Sequence, residues 1–415
     1  MIFFLLRRFT VDFVGEDFYA LRLQLNKNSG IHVMDTILIK TIKVSLGVTL
    51  TALISSQASS QSGSLRSEYP DLANLYNSFD VAQAEVYDAI AEISGDPASQ
   101  DGRMELKMHL DMMAEMGHGG HGGHGGGMSM DMDGYFGTLE TEARIKLGET
   151  VRGNYSDNVA SEAFSDSSAL NDRAARVLTH GRSFEQSLWD IFAEESTTIY
   201  QKQVAVDNAI QSYLNNAEDA VSLLPKSAEL YLDHDYADAF KMGYPKLSGL
   251  LYANQWLKLA SLEAIIISQV DPQFGGRVPL TLERYWNKVG SDTGMTMFPA
   301  PTEMPSVPAI SPQLYSQAPQ AAIILDNLNM LESALADVIA YPNLQNRDAM
   351  IDQVVAQYTS DDMYLTETMD YLLNALRGGI FEQGGPAIGD LSRSERNRTR
   401  DAMNMNHTMI MSAPN

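Results

Sequence analysis

From Tyr69 to Ile93 the apolar residues Leu72, Leu75, Tyr76, Phe79, Val86 and Ile90 recur at the spacing of one helix face. Asp96-Pro97 closes that run, and Arg103 to Met116 predicts a second helix. Helical patterns follow over Tyr135–Val151, Ser168–Glu195 and Thr198–Leu214. Within the middle one, Leu170, Ala174, Val177, Leu178, Phe184, Leu188 and Ile191 form a stripe. The stretch 247–270 is apolar on more than one side, which predicts a central buried helix, and its polar interruptions argue against a membrane span. Further helices are predicted at Pro319–Ala340, Arg347–Gln357 and Asp361–Arg377. Few segments alternate with period two, and no internal repeat is evident. The expected fold is mainly α, a multi-helix bundle-like body.

The pattern breaks in three places. The run Gly117 to Gly127 is glycine-rich, PAPTEMPSVPAISP predicts an extended proline connector, and GGPAIG (384–389) is a turn before a charged stretch, Arg393 to Arg400. The expected organisation is N-terminal helices over 59–116, a Gly/His/Met-rich loop over 117–134, a main helical body over 135–290 and a connector over 291–313. C-terminal helices over 314–401 and a Met-rich tail over 402–415 complete it.

Ahead of this body, residues 1–33 fit neither an export signal nor a membrane span. The stretch from Met34 reads as a secretory signal peptide over 34–58: Lys40 and Lys43 precede an uncharged 11-residue core, Val44 to Ile54, and Ser56-Gln57-Ala58 offers a small-x-small cleavage site. The expectation is translation from Met34, cleavage near Ser59, and a periplasmic or secreted product with no stable membrane insertion. The alternative is a genuine extension carrying an internal apolar helix.

Charge narrows the partners. The chain carries −24, and residues 1–58 hold six basic against four acidic side chains, leaving about −26 beyond them. Nucleic acid and anionic membrane surfaces need a basic face, so both are excluded, whereas cations are attracted. With no cysteine in the chain, zinc-finger, iron–sulfur and cysteine-nucleophile readings fall away.

The chemistry that remains is soft-metal chemistry. Beyond Met1 and Met34 there are 20 methionines; eight crowd into 104–132 and four into 403–411, both otherwise polar or glycine-rich. Core methionines would be scattered through the helices. On a helix over 103–116, Leu106, Leu110, Met113 and Ala114 share the expected core face. Met108, Met112, Met116 and His109 fall on an adjoining strip with Glu105. A spacing of four residues separates neighbouring thioethers by about 6 Å along the axis, within reach of one ion. The bland alternative is a methionine-rich packing face.

In GHGGHGGHGGGMSMDMDG, His118, His121 and His124 are spaced by glycine pairs, and Met128, Met130 and Met132 follow at period two. Imidazole suits Cu(II), Ni(II) and Zn(II), and thioether selects Cu(I), so the segment offers ligands for both copper states and for other divalent transition metals. The bland alternative is a solvated low-complexity loop. In the tail, Met403, Met405, His407, Met409 and Met411 would face one way in an extended chain, and the intervening asparagines disfavour a strand. Met295-Thr296-Met297, with Met304 nearby, repeats the pattern.

These M-x-M and H-x-M runs resemble the methionine motifs of periplasmic copper-resistance proteins and of copper-transporter extracellular tails. The resemblance is compositional and covers the Met/His segments alone; it implies copper buffering, resistance or delivery in an oxidising compartment. The implied partners are the metal ion and a periplasmic protein docked by the helical body. The β-rich cupredoxin arrangement of those families has no counterpart in this sequence.

Other candidates are weaker. His234 beside Asp233, Asp235 and Asp238 reads as a solvated acidic helix start, and His180 as a packed or surface histidine. No Glu lies three residues before His109, His180 or His234, against a di-iron bundle, and no Walker loop, G-x-S-x-G or H-E-x-x-H occurs. The expected protein binds copper, and no catalytic step is implied. The alternatives are a helical envelope or solute-binding scaffold with an apolar pocket near Trp189 or Trp256, and a metal-dependent enzyme with a site around His180 or His234.

Overall fold

The computed structural model describes residues 64–116, 134–227, 230, 236–289 and 305–381. The proposed leader and signal peptide, the loop 117–133, His234, Met295, Met297, Met304 and the tail lie outside them. Fifteen α-helices occur among the described residues: α1 (Ser64–Glu68), α2 (Pro70–Gly95), α3 (Gln100–Met116), α4 (Gly137–Val151), α5 (Asp157–Asp166), α6 (Asp172–Ala193), α7 (Ile199–Leu214), α8 (Ala239–Gly243), α9 (Pro245–Val270), α10 (Arg277–Val289), α11 (Val307–Ile310), α12 (Pro312–Gln317), α13 (Pro319–Ala340), α14 (Arg347–Thr359) and α15 (Thr368–Phe381). The fold is mainly α, as the periodicity indicates. No helix among the described residues is long and apolar enough to cross a membrane.

Four long helices make the core. Helix α2 packs on α9 and α13, and α6 packs on the same two, so α2 and α6 stand at opposite corners of a four-helix bundle. From Lys246 to Ile266 every residue of α9 except Trp256 and Ala260 is buried, and in α13 burial is unbroken from Ala321 to Ala340. Two of the bundle's four helices are therefore enclosed all round, which an apolar-on-all-faces sequence permits. At Gly181 of α6 a Cβ would run into the Leu328 side chain of α13, so the glycine lets those two helices approach.

Local signals set several boundaries. Ser156 and Asn171 cap α5 and α6 through their side chains, and Thr198 with Gln201 forms a capping box on α7. The buried Lys202 ammonium donates to the carbonyls of Ile191, Phe192 and Glu194 at 3.1, 2.8 and 2.6 Å, closing the C-terminus of α6.

Other helices are capped from a distance. The residues before α8, α9, α11 and α12 supply no side-chain cap. Instead Asp337 accepts Phe240 N–H at 2.8 Å, and Glu140 accepts Lys246 and Leu247 N–H at 2.6 and 3.0 Å. Asp326 accepts Val307 N–H at 2.8 Å, and Glu263 accepts Gln313 N–H at 3.0 Å. All four carboxylates are buried, and burial pushes Glu140, Asp326 and Glu263 up to about 7 against the pull of their N–H donors.

Two expectations change. The described end of the proline stretch is not extended: Val307–Ile310 and Pro312–Gln317 are short helices, with proline in the first turn, where its missing N–H costs nothing. The last helix starts at Thr368, later than the pattern suggests, because the backbone before it pairs elsewhere. Ser227 N–H donates to the Tyr364 carbonyl at 2.7 Å and Thr366 N–H to the Pro225 carbonyl at 3.0 Å, around an antiparallel Lys226–Leu365 bridge.

Candidate functional site

Helix α3 lies on the outside of this bundle. Leu106 and Leu110 are buried, and Gly243 of α8 packs against Leu106. Gly102 meets the Tyr135 carbonyl so closely that no Cβ fits. The opposite side carries Met104, Met108 and Met112, which are 55%, 53% and 42% exposed. Their i, i+4, i+8 spacing stacks the thioethers along one strip of solvent-facing surface. Packing therefore does not account for them. Glu105 is exposed beside them, Met113 is half-buried, and Ala114, expected on the core face, is exposed, because that face ends with Leu110. Met116 ends the helix.

His109 borders the strip and is half-buried. Its Nδ1 lies 2.5 Å from the Tyr135 hydroxyl, and the two rings meet edge to face at 5.7 Å. That hydrogen bond leaves Nε2 as the ring nitrogen open to an ion, the arrangement by which an outer partner fixes which imidazole nitrogen coordinates. Tyr135 stands where the chain re-enters the described structure after the His/Met segment. Met116 and Tyr135, on either side of that segment in the chain, thus belong to or touch the helix that bears the strip.

The remaining expected ligands, His118, His121, His124, Met128, Met130, Met132, Met403, Met405, His407, Met409 and Met411, lie outside the described residues. Among the described residues no three His, Cys, Asp or Glu side chains gather as a metal cluster. His180 is not part of one: its Nε2 lies 2.8 Å from the Tyr213 carbonyl and its ring stacks on Tyr213 at 4.5 Å.

A second feature sits on the bundle axis. Asp80 of α2 accepts Arg182 Nε of α6 at 2.6 Å through one oxygen and Lys258 Nζ of α9 at 3.2 Å through the other. Glu185, one turn beyond Arg182, takes Lys258 Nζ at 2.9 Å, and Gln255 donates to Glu332 of α13 at 2.7 Å. Asn77 accepts Arg182 Nη2 at 3.0 Å and donates to Asp157 at 2.8 Å, linking the axis to the start of α5. Three carboxylates share two cations here. Burial, with the Glu185 charge adding to it, raises the Glu332 carboxyl to about 7 against the pull of Lys258.

This network floors a cavity of about 330 Å³ that lies between α1, α2, α5, α6 and α9 and includes Tyr76 and Trp189 in its wall. The rings of those two residues stand 4.5 Å apart. A cavity beside Trp189 is thus present, but its floor is charged where an apolar pocket is the expectation. The sequence does carry a signal for it: polar residues recur at i, i+3 inside apolar helices, as Asn77/Asp80/Gln83, Arg182/Glu185, Gln255/Lys258 and Asn329/Glu332.

The fold and these two features define a mainly-α protein, a four-helix bundle with a charged axial cavity and an outer helix that presents thioethers to solvent. No family model matches the chain, and no curated protein or solved structure matches it either.

Proposed function

We propose that this is an exported, periplasmic or secreted, copper-binding protein that buffers or delivers the metal, holding Cu(I) through methionine thioethers and Cu(II) through histidine. The observation that carries the reading is the exposed strip Met104, Met108, Met112 with His109 at its edge. Three large apolar side chains in a row on a solvated helix mark an interaction site or an aggregation liability. A soft cuprous ion is what thioethers select over hard cations. The His/Met segment begins where this helix ends, so its ligands are held at high effective concentration around the strip. The net charge of −24 raises the local concentration of cations. The tail from Met403 to Met411 would be a second collector. Export supplies a compartment where thiols are oxidised but thioethers still bind, consistent with a chain that has no cysteine.

The test is titration of the protein with Cu(I) under ascorbate against a competing chelator. The comparison variants are Met108→Leu/Met112→Leu, which keep the helix and its apolar area, and Met403, Met405, His407, Met409 and Met411 all changed to serine. Loss of an outer partner of a metal ligand already costs about 10–100-fold in affinity, so loss of two thioethers should cost at least that. Stoichiometric binding that weakens in the leucine pair places an ion on α3. Weak and equal binding in all three proteins rules the reading out.

A further inference from the structure

We infer that the face formed by residues 361–373 is the docking surface for the chain's own C-terminal segment, 393–411, which folds back onto it as an intramolecular latch. In α15, Tyr371 and Ala375 are buried, and the Tyr371 hydroxyl donates to Asp326 of α13 at 2.6 Å. Met369 and Leu373, one turn apart on the other side, are 66% and 44% exposed. Just before the helix, Met363, Tyr364 and Leu365 are exposed as well. Exposed Leu224 adjoins them, next to the Pro225 carbonyl that accepts Thr366 N–H. The segment is fixed in place, because the buried Lys226 ammonium donates to the carbonyls of Ser360 and Met363 at 2.5 and 2.8 Å. Large apolar side chains gathered on a surface held in this way mark an interaction site.

Charge and chain length choose the occupant. Asp361, Asp362, Glu367 and Asp370 are exposed among these apolar residues. Lys226 lies beside the first two, whereas Glu367 and Asp370 have no cation next to them among the described residues. The complement is in the same chain. Arg393, Arg396, Arg398 and Arg400 fall within eight residues that hold one glutamate, the densest basic run of a chain that carries −24. The methionines from Met403 to Met411 follow directly. Arginines and then thioethers match a face of carboxylates with exposed Met and Leu. The reach is sufficient. Phe381 ends α15, and a helix of that length puts it about 17 Å along the axis from Asp370. The chain from Phe381 to Arg393 spans up to about 40 Å, and the turn expected at GGPAIG (384–389) allows the reversal. A short connection costs little to close and holds the segment at high effective concentration, so exposed ion pairs that are weak singly act together. Among the described residues the exposed methionines are Met363, Met369 and the three on α3. Docking therefore carries the tail thioethers to Met363 and Met369, a second place for Cu(I), a consequence that rests on the copper reading above.

The chain has no cysteine, so introduced pairs report the docking without background. The test pair is Thr368→Cys with Asn397→Cys, and the reference pair is Glu105→Cys with Asn397→Cys. Helix α3 lies by Tyr341 and α15 by Asp326, toward opposite ends of α13. The full chains are oxidised with glutathione disulfide in EDTA, so that no metal takes part, and the intramolecular disulfide is measured by mass spectrometry. The test pair should close about tenfold faster than the reference pair. Glu367→Lys/Asp370→Lys, at exposed positions, should bring it to the reference rate with circular dichroism unchanged, and adding Arg396→Glu/Arg398→Glu should restore it. Equal rates for the two pairs, a rate untouched by the first charge reversal, or no recovery on the second would each overturn the latch. Disulfide-linked dimers that grow with protein concentration in place of the intramolecular product would overturn it too, and assign the face to a second copy. Because metal is excluded, failure here leaves the copper titration to be judged by itself.

Discussion

At Lys258 burial and charge pull in opposite directions. Burial alone would strip its proton, but the carboxylates of Glu185, Asp80 and Glu332 outweigh that and hold the ammonium above its usual range. The same residue donates to two of those carboxylates, Asp80 and Glu185, inside the bundle. Lys258→Met is therefore expected to destabilise the fold by about 3–5 kcal/mol in urea unfolding, since it leaves Asp80 and Glu185 short of a partner. Glu332 is the contrasting case, because its carboxyl, raised to about 7, has to ionise in the core above that pH. Its folded value lies above the free carboxylate value, so its favourable share of stability is complete in acid and lost as pH rises through 7. Glu332→Gln keeps an acceptor for Gln255 and removes that cost. It should stabilise by about 1–3 kcal/mol at pH 8 and by almost nothing at pH 5, measured by the same unfolding curves. Equal effects at both pH values would show that Glu332 does not titrate in the core.

At the scale of the elements, the helix starts divide into those capped locally and those capped from afar. Glu140 holds the first two N–H groups of α9, the most enclosed helix but one, and its other oxygen has no partner among the described residues. Glu140→Ala orphans both donors and should cost about 2–4 kcal/mol, a lost cap plus buried unsatisfied N–H groups. Hydrogen exchange at Lys246 and Leu247 should quicken ahead of the rest of α9; uniform exchange along the helix would contradict the capping role. Gly181→Ala should cost about 1–3 kcal/mol, because the new methyl meets Leu328 across the α6–α13 contact. A thermal melt unchanged from that of the parent would mean the two helices separate freely. These features also mark what the sequence makes legible. The long helices are visible in their apolar spacing, and Ser156, Asn171 and Thr198 announce their caps. The remote caps are not, because the carboxylate and the N–H it serves stand 19 to 107 residues apart. The axial network shows only as polar residues three apart inside apolar helices, with nothing to say which pairs with which. Arg182 and Glu185, read singly, look like any charge on a helix, and only the bundle brings Asp80 to the one and Lys258 to the other. The methionine strip is legible as a pattern on α3; its exposure is not, since thioethers at that spacing pack as readily as they bind.

For the whole molecule, the buried carboxylates act together. Glu140, Glu263, Asp326 and Glu332 are each pushed up by burial to about 7, so the folded chain holds protons that the unfolded chain releases near 4.5 for the glutamates and 3.8 for the aspartate. Between about pH 4.5 and 7 the native state binds more protons than the unfolded state, and stability falls as pH rises. The net charge of −24 acts in the same sense, because ionising these groups adds to self-repulsion. Two lysines act in the opposite sense at higher pH. Burial lowers Lys202 and Lys226 to about 8, so from about pH 8 upward the unfolded state binds more protons there and stability recovers. On the acid side, hydrogen bonds hold Asp157 and Glu194 below their usual values, so their contribution is lost as pH drops through the range where they protonate. The expected profile has a maximum near pH 5 and a trough between about pH 7 and 8, with the unfolding free energy lower by about 3 kcal/mol or more in the trough. Urea unfolding at pH 5.0, 7.5 and 9.0 measures it. Stability that rises steadily from pH 5.0 to 7.5 would mean that the four carboxylates are ionised in the folded protein, and that the donors at the remote helix starts outweigh the cost of burying them.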